Sequence, residues 1–329
     1  MNVYSLLKIN RFINNPLIKN LGIWLFHVLN KHYLVVFFDP VLGCNLRCRL
    51  CYFSDEEKRK TKKGLFAQED LARIAEVIFP QTLKLQIGCG AEPSLFKHNA
   101  EIIRLGKQYG VPYISFTTNA TLLSSAEIEK WLNAGLNEFT ISLHGVKKET
   151  YEFLMQGASY DKFITALHAI SACKALYPNF KLRINYTVCE QNIDELITFF
   201  DIFGEMKVDI LQVRPLQDIG GEIKSVNDKK TFNARFNSIT NILKTECSKR
   251  KITYIAPLHL DEIPKKNKSN SIFDSIYCYI SPTYFWRNIN WRKETFKQYA
   301  KRTHYASLLF KNIFSQNQSE EDKLNYDIV

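Results

Sequence analysis

Three cysteines fall within eight residues in the stretch DPVLGCNLRCRLCYF, from Asp39 to Phe53, and thiols so spaced can converge from one tight loop on a single centre. In a reducing compartment such thiolates favour zinc or an iron–sulfur cluster. Cys44, Cys48 and Cys51 are one ligand short of a closed structural zinc site. No fourth is near, because Cys89 belongs to another strand end and His32 to the far side of the first strand. An incomplete set suits a cluster whose last iron is left open for a substrate or cofactor. Chance burial in a core suits GCNLRCRLC poorly, since the residues between the cysteines are polar and loop-like.

The elements that must position this loop can be read from periodicity. Apolar, β-rich runs at Tyr33 to Asp39, Leu83 to Gly88, Tyr113 to Thr118, Glu138 to Leu143, Lys181 to Val188 and Val208 to Val213 predict six strands. Helical patterns lie between them, with Leu71, Ile74, Ala75 and Ile78 on one face and Phe163, Leu167 and Ile170 on another. Repeated strand–helix units imply parallel strands and right-handed crossovers, hence a partial or full barrel or an open doubly wound sheet. Functional residues then collect where strands end, and the cysteines follow the first strand.

With these elements in place, the spacing Cys44, Cys48, Cys51 after a first strand resembles the signature of the radical S-adenosylmethionine (radical SAM) superfamily. The resemblance implies that the three thiolates hold a [4Fe-4S] cluster whose fourth iron is chelated by S-adenosylmethionine. Leu50 stands where the family usually has an aromatic residue. IGCGAEPSL resembles the Gly-Gly-Glu-Pro turn that takes the cofactor's amino group, which implies cofactor-binding roles for Gly90, Ala91 and Glu92, with Ala91 replacing the second glycine. FTTNATLLS is similar to the family's threonine–asparagine turn and places Asn119 at the same rim, and FTISLHGV offers Ser142 near the cofactor ribose. His144, where many relatives carry aspartate, is the one catalytic candidate; a structural histidine fits the position equally well. KLRINYTVCEQN presents Arg183, suited to clamp the cofactor carboxylate, and LQVRPLQ presents Gln212 and Arg214 toward substrate.

The fold class that follows is α/β, a partial TIM-type (β/α)6 barrel over residues 33–215. A basic amphipathic helical extension at 1–32 precedes it, and an α-rich extension with an acidic tail, a vestigial auxiliary domain, follows at 216–329. The resemblance is to the barrel of the peptide-modifying SPASM-type subgroup without its auxiliary-cluster cysteines, since only Cys247 and Cys278 remain after residue 215. It implies reductive cleavage of S-adenosylmethionine to methionine and a 5'-deoxyadenosyl radical that takes hydrogen from a peptide, a protein or an envelope-related small molecule. An external one-electron donor of flavodoxin or ferredoxin type is implied as well.

Two basic regions carry other readings. The first 38 residues hold Lys8, Arg11, Lys19 and Lys31 with no acid among many apolar side chains, a mix that suits either a helix docked on the core or contact with the inner membrane surface from the cytoplasm. The run Leu17 to Leu29 is too short to span a bilayer. The stretch from Trp286 to Asn312 interleaves aromatics with Arg and Lys, which keeps an RNA-modifying enzyme as an alternative, though nucleic acid is not the favoured partner. A non-enzymatic zinc-binding module is a further alternative. Dilute cysteine and the lack of a secretory cleavage site point to a reducing, cytoplasmic setting.

Overall fold

The structure, a computed structural model, describes residues 13, 15–217, 219–224, 229–257, 271–314 and 326–328. Lys8 and Arg11, most of the acidic tail and part of the polar stretch 216–230 lie outside the described residues.

Six strands form where alternation predicts them: β1 (Leu34–Phe38), β2 (Thr82–Ile87), β3 (Tyr113–Thr118), β4 (Glu138–Leu143), β5 (Lys181–Val188) and β6 (Ile210–Pro215). All pair in parallel with their chain neighbours. One face of each strand packs outward on helices. Phe116 and Phe139 lie against Trp131 of helix α2 (Ser125–Asn133), with ring centroids 4.2 and 6.2 Å apart. That helix starts on a capping box between Ser124 and Glu127, which satisfies backbone N–H groups its first turn cannot.

The other face looks into the barrel, and over β2 to β6 it is largely polar. By the two-residue period it carries Lys84 and Gln86 on β2, Ser115 and Thr117 on β3, Glu138, Thr140 and Ser142 on β4, Arg183, Asn185 and Thr187 on β5, and Gln212 and Arg214 on β6. A barrel whose interior is merely packed core is filled with Val, Ile and Leu. This one is built to receive something polar.

The segment after residue 215 is helical, as expected, and it also lengthens the sheet. Strand β7 (Thr253–Pro257) pairs in parallel with β6, and β8 (Tyr277–Ser281) pairs in parallel with β1 on the other side. Antiparallel strands β9 (Tyr284–Phe285) and β10 (Tyr326–Ile328) finish the two edges, giving the order β10-β7-β6-β5-β4-β3-β2-β1-β8-β9. The aromatic half of the basic C-terminal stretch is core: Trp286, Phe296 and Tyr305 are buried and pack on one another at 5.6–6.3 Å. Arg292 stacks over Trp291 at 3.9 Å and pairs with Asp70 at 3.1 Å. These rings are therefore not offered to bases, and the RNA alternative loses the stacking surface it rested on.

Helix α1 (Pro16–Val28) opens on Asn15, whose side chain accepts from the N–H of Leu17. It docks on helix α3 (Tyr305–Ile313) through Trp24, whose ring lies 5.5 Å from Phe310, and through Asn20, whose amide donates to the carbonyl of Asn312. Leu17, Ile18, Leu21, Leu25, Phe26 and Leu29 stay exposed. Among the described residues no helix is long and apolar enough to cross a membrane.

Candidate functional site

The cysteine loop leaves the carboxyl end of β1 and is tied down on three sides. Glu92 N–H donates to the Gly43 carbonyl at 2.8 Å, and the N–H groups of Arg47 and Arg49 donate to the carbonyls of Gln156 and Leu154 at 2.9 Å. On the third side Ile223 N–H donates to the Arg49 carbonyl at 3.0 Å, and Arg49 pairs with Glu222. Gly221 lies so close that an added Cβ would sit 2.6–2.7 Å from backbone atoms of Arg49, Leu50 and Cys51. Residues 219–224 thus form a strap across the cysteine loop. Leu50 is buried against Leu154, Cys189 and Leu216, so its apolar contact is with the fold.

Cys44, Cys48 and Cys51 are all free thiols. Burial pushes Cys44 up to about 12 and raises Cys48 and Cys51 as well, and at Cys44 and Cys48 the neighbouring thiols and Glu92 add to the rise. Three thiols that resist ionisation together need a strongly positive centre to become ligands. Among the described residues no set of three or more His, Cys, Asp or Glu side chains is gathered closely enough for a single ion. A four-iron cube spaces its thiolates more widely than one ion does, and the donor set of three sulfurs on one loop fits such a cube with one iron left over.

The glycine–glutamate turn after β2 faces this loop. Glu92 is buried and its carboxylate accepts from Ser94 N–H (3.1 Å), Ser94 Oγ (2.6 Å), Thr118 Oγ1 (2.6 Å) and Asn119 N–H (2.9 Å). Burial raises its pKa against these hydrogen bonds. Asn119 Nδ2 donates to Asn45 Oδ1 at 2.9 Å, which brings the β3 rim onto the cysteine loop. Gly88 holds φ +86, and a Cβ there would lie 2.5 Å from the Thr117 carbonyl, so only glycine fits.

Sequence reasoning passed over the group that holds this turn open. Asp39, fully buried at the end of β1, accepts from Cys89 N–H (2.7 Å), Gly90 N–H (2.9 Å) and the Tyr279 hydroxyl of β8 (2.8 Å). Tyr52 donates to the Gly90 carbonyl from the other side. An acid closing an otherwise apolar strand was the available signal. Gly90, Ala91, Glu92 and Asn119 thus meet the cysteine loop at one rim, while Ser142 lies on β4 in register with Asn185 of β5. Arg183 sits lower on β5, bonded to Gln212 and 3.7 Å from Glu138. His144 lies just past β4 with Nδ1 unpartnered; burial, then Arg214, lowers its pKa to about 4, so it is neutral near pH 7. Cys89 is exposed at the turn with its pKa raised to about 12, chiefly by burial of the thiol. Cys247 and Cys278 are buried in the core.

Residues 39–202 match the radical SAM superfamily. A probable GTP 3',8-cyclase of Sulfurisphaera tokodaii is 29% identical over 212 residues, covering 64% of this chain and 63% of that protein. The protein of the same name from Saccharolobus solfataricus is 28% identical over 178 residues, 54% of this chain and 55% of its own. The matches thus span less than two thirds of these relatives' length. Among solved structures, Streptococcus suis SuiB bound to S-adenosylmethionine superposes with a TM-score of 0.63 at 16% identity, over 84% of this chain and 68% of that one. Methylornithine synthase does so with a TM-score of 0.51 at 15% identity, over 87% of each. At such identities these likenesses speak for the fold.

Proposed function

Since the chain belongs to the radical SAM superfamily, we propose that it is an iron–sulfur enzyme that uses S-adenosylmethionine, that Cys44, Cys48 and Cys51 hold its [4Fe-4S] cluster and that it takes hydrogen from a polar substrate seated inside the barrel. The observation that carries the substrate half is the polar inner face of β2 to β6. When bound and reduced, the cluster supplies the electron that turns S-adenosylmethionine into a hydrogen-abstracting radical.

The chain's own residues do the rest. Glu92 is taken up by Ser94, Thr118 and Asn119, so its part is to fix the turn, and contact with the cofactor ammonium falls to the backbone of Gly90 and Ala91. Asn119 steadies the cysteine loop through Asn45, and Ser142 faces the cofactor ribose from β4. His144, neutral and with Nδ1 unpartnered, is placed to exchange a proton with substrate. The strap at 219–224 keeps water from the back of the cysteine loop. A flavodoxin- or ferredoxin-type donor supplies the electron.

Among the substrate kinds that the sequence leaves open, a small polar molecule or the end of a peptide fits the interior; the nucleotide in the relatives' names is of the first kind. The exposed apolar face of α1, flanked by Lys19 and Lys31, favours contact with an anionic membrane surface as a second, separable property. The decisive experiment is anaerobic reconstitution, reduction with dithionite and assay of 5'-deoxyadenosine for the wild type and Cys48→Ala. The wild type should hold iron and sulfide and form product, and the variant should lose both. Zinc without iron, or product unchanged in the variant, would end this reading and restore the zinc module.

A further inference from the structure

Deep in the barrel, the ammonium of Lys84 has, among the described residues, no hydrogen-bond acceptor and no carboxylate within ion-pair distance; the Tyr113 ring lies 5.8 Å from it. The interior carboxylates are already engaged. Glu138 accepts from the Tyr113 hydroxyl at 2.6 Å and Thr140 Oγ1 at 2.7 Å and stands 3.7 Å from Arg183, while Asp39 is held by the three donors of the turn. Against these two acids the same face carries Lys84, Arg183 and Arg214. Buried charge is ordinarily paired.

A second, independent observation lies beside the first. Ser115 Oγ and Thr117 Oγ1 on β3 and Asn185 Oδ1 on β5 are buried without a partner, although buried polar atoms almost always find one. Register orders them up the barrel from the lysine: Lys84 is level with Tyr113, Ser115 stands one pleat higher beside Gln86 and Glu138, Thr117 is level with Thr140 and through it with Arg183, and Asn185 is higher still beside Ser142. Gln86, Thr117, Ser142, Arg183 and Gln212 alternate with buried neighbours yet are only half-buried themselves, as is Lys84, so the interior has room.

We infer that the floor of the barrel is a subsite for an oxyanion of the substrate, a phosphate or a carboxylate, bound by Lys84 with Arg183 and by the hydroxyls of Ser115 and Thr117. This rests on the proposed reading of the barrel mouth as the cofactor side, and it moves Arg183 from the cofactor carboxylate, where the resemblance puts it, to the substrate. The lower position of Arg183 on its strand, beside Glu138 and Gln212, supports the move. The incoming anion completes the charge on Lys84. Burial lowers the pKa of that ammonium more than Glu138 restores it, so the charge stands without the counterion that an anion would supply.

The test is calorimetric titration of the reconstituted, S-adenosylmethionine-loaded enzyme with inorganic phosphate, pyrophosphate and glutarate, beside Lys84→Met and Lys84→Arg. At least one anion should bind the wild type, at least tenfold more weakly in Lys84→Met, with Lys84→Arg retaining most of the affinity. Preference for phosphates points to a phosphorylated substrate and preference for glutarate to a carboxylate; either supports the subsite. Binding equal in Lys84→Met, or no anion bound by the wild type, overturns it. Iron content and S-adenosylmethionine titration of the same samples report separately on the cofactor reading.

Discussion

Asp39→Asn changes one oxygen of a buried side chain and tests whether the turn at Gly90 is a working part of the site. The carboxylate serves two backbone N–H groups, of Cys89 and Gly90, and one hydroxyl, of Tyr279. An asparagine can point its oxygen at Cys89 and turn its amide toward Tyr279, whose hydroxyl rotates to accept. Gly90 N–H then faces an N–H and loses its acceptor. A buried group left so costs about 1–3 kcal/mol. Part of that is offset, because burial raises the Asp39 pKa despite the hydrogen bonds, a sign that the charge is held against its preference. A net of about 1.4 kcal/mol falls on the turn, which corresponds to roughly tenfold weaker S-adenosylmethionine binding. Calorimetric titration of the reconstituted variant checks this, with iron content expected to stay at the wild-type level. Unchanged cofactor affinity in a folded, iron-loaded variant would refute the assignment of the turn to the cofactor, and loss of iron would show instead that Asp39 supports the cysteine loop.

His144 gives a pH signature. Its folded pKa of about 4 lies below the ordinary 6.5, so its contribution to stability is fully present above pH 6.5 and is lost as pH falls toward 4, about 3 kcal/mol in all. Asp39 and Glu92, whose pKa values burial raises, act in the opposite sense and gain as pH falls. The comparison that isolates the histidine is therefore thermal melting of His144→Gln against the wild type between pH 6.5 and 4, where the variant should lose less; parallel curves would show that the ring is not held neutral by the fold. For the membrane property, the wild type should sediment with vesicles rich in phosphatidylglycerol and release in salt, with binding reduced at least fivefold in the double variant Leu21→Glu, Phe26→Glu. Equal sedimentation with neutral vesicles would remove the electrostatic part of that reading.

What the sequence made legible was what is local. Lys181 to Val188, alternating apolar and polar, is β5 to the residue, and three cysteines on one loop needed no tertiary information to be read together. Glu92 and Asn119 could be placed at one rim because each follows a strand of the same sheet, but their bond to each other joins residues 27 apart and depends on the crossover between them. Strands β7 and β8 escaped notice for a physical reason. Each is five residues long, Thr253–Pro257 ends on a proline, and Tyr277–Ser281 turns tyrosines inward where an apolar side chain is expected. Their pairing partners are β6 and β1, and no short-range pattern encodes a partner so distant. The basic aromatic stretch misled in the other direction. Trp291 and Arg292 look like a nucleic-acid surface in one dimension, and only packing shows the ring against Phe66 and Phe285 and the guanidinium on Asp70.

The position of β8 changes what the C-terminal segment is for. A strand added beside β1 covers an edge that would otherwise present unpaired N–H and C=O groups, and that alone would make it structural. Tyr279 does more, because its hydroxyl crosses to Asp39, 240 residues away in the chain, at the carboxylate that also holds Cys89 and Gly90. The stacked pair Phe37 and Tyr277, 5.6 Å apart, fixes the same two strands one pleat below. The segment after residue 215 therefore reaches both sides of the candidate site: at the strap, through Gly221 and Glu222 on the cysteine loop, and at β8, through Tyr279 on the glycine turn. Through these contacts one segment braces both the cysteine loop, at Arg49, and the glycine turn, at Gly90 by way of Asp39.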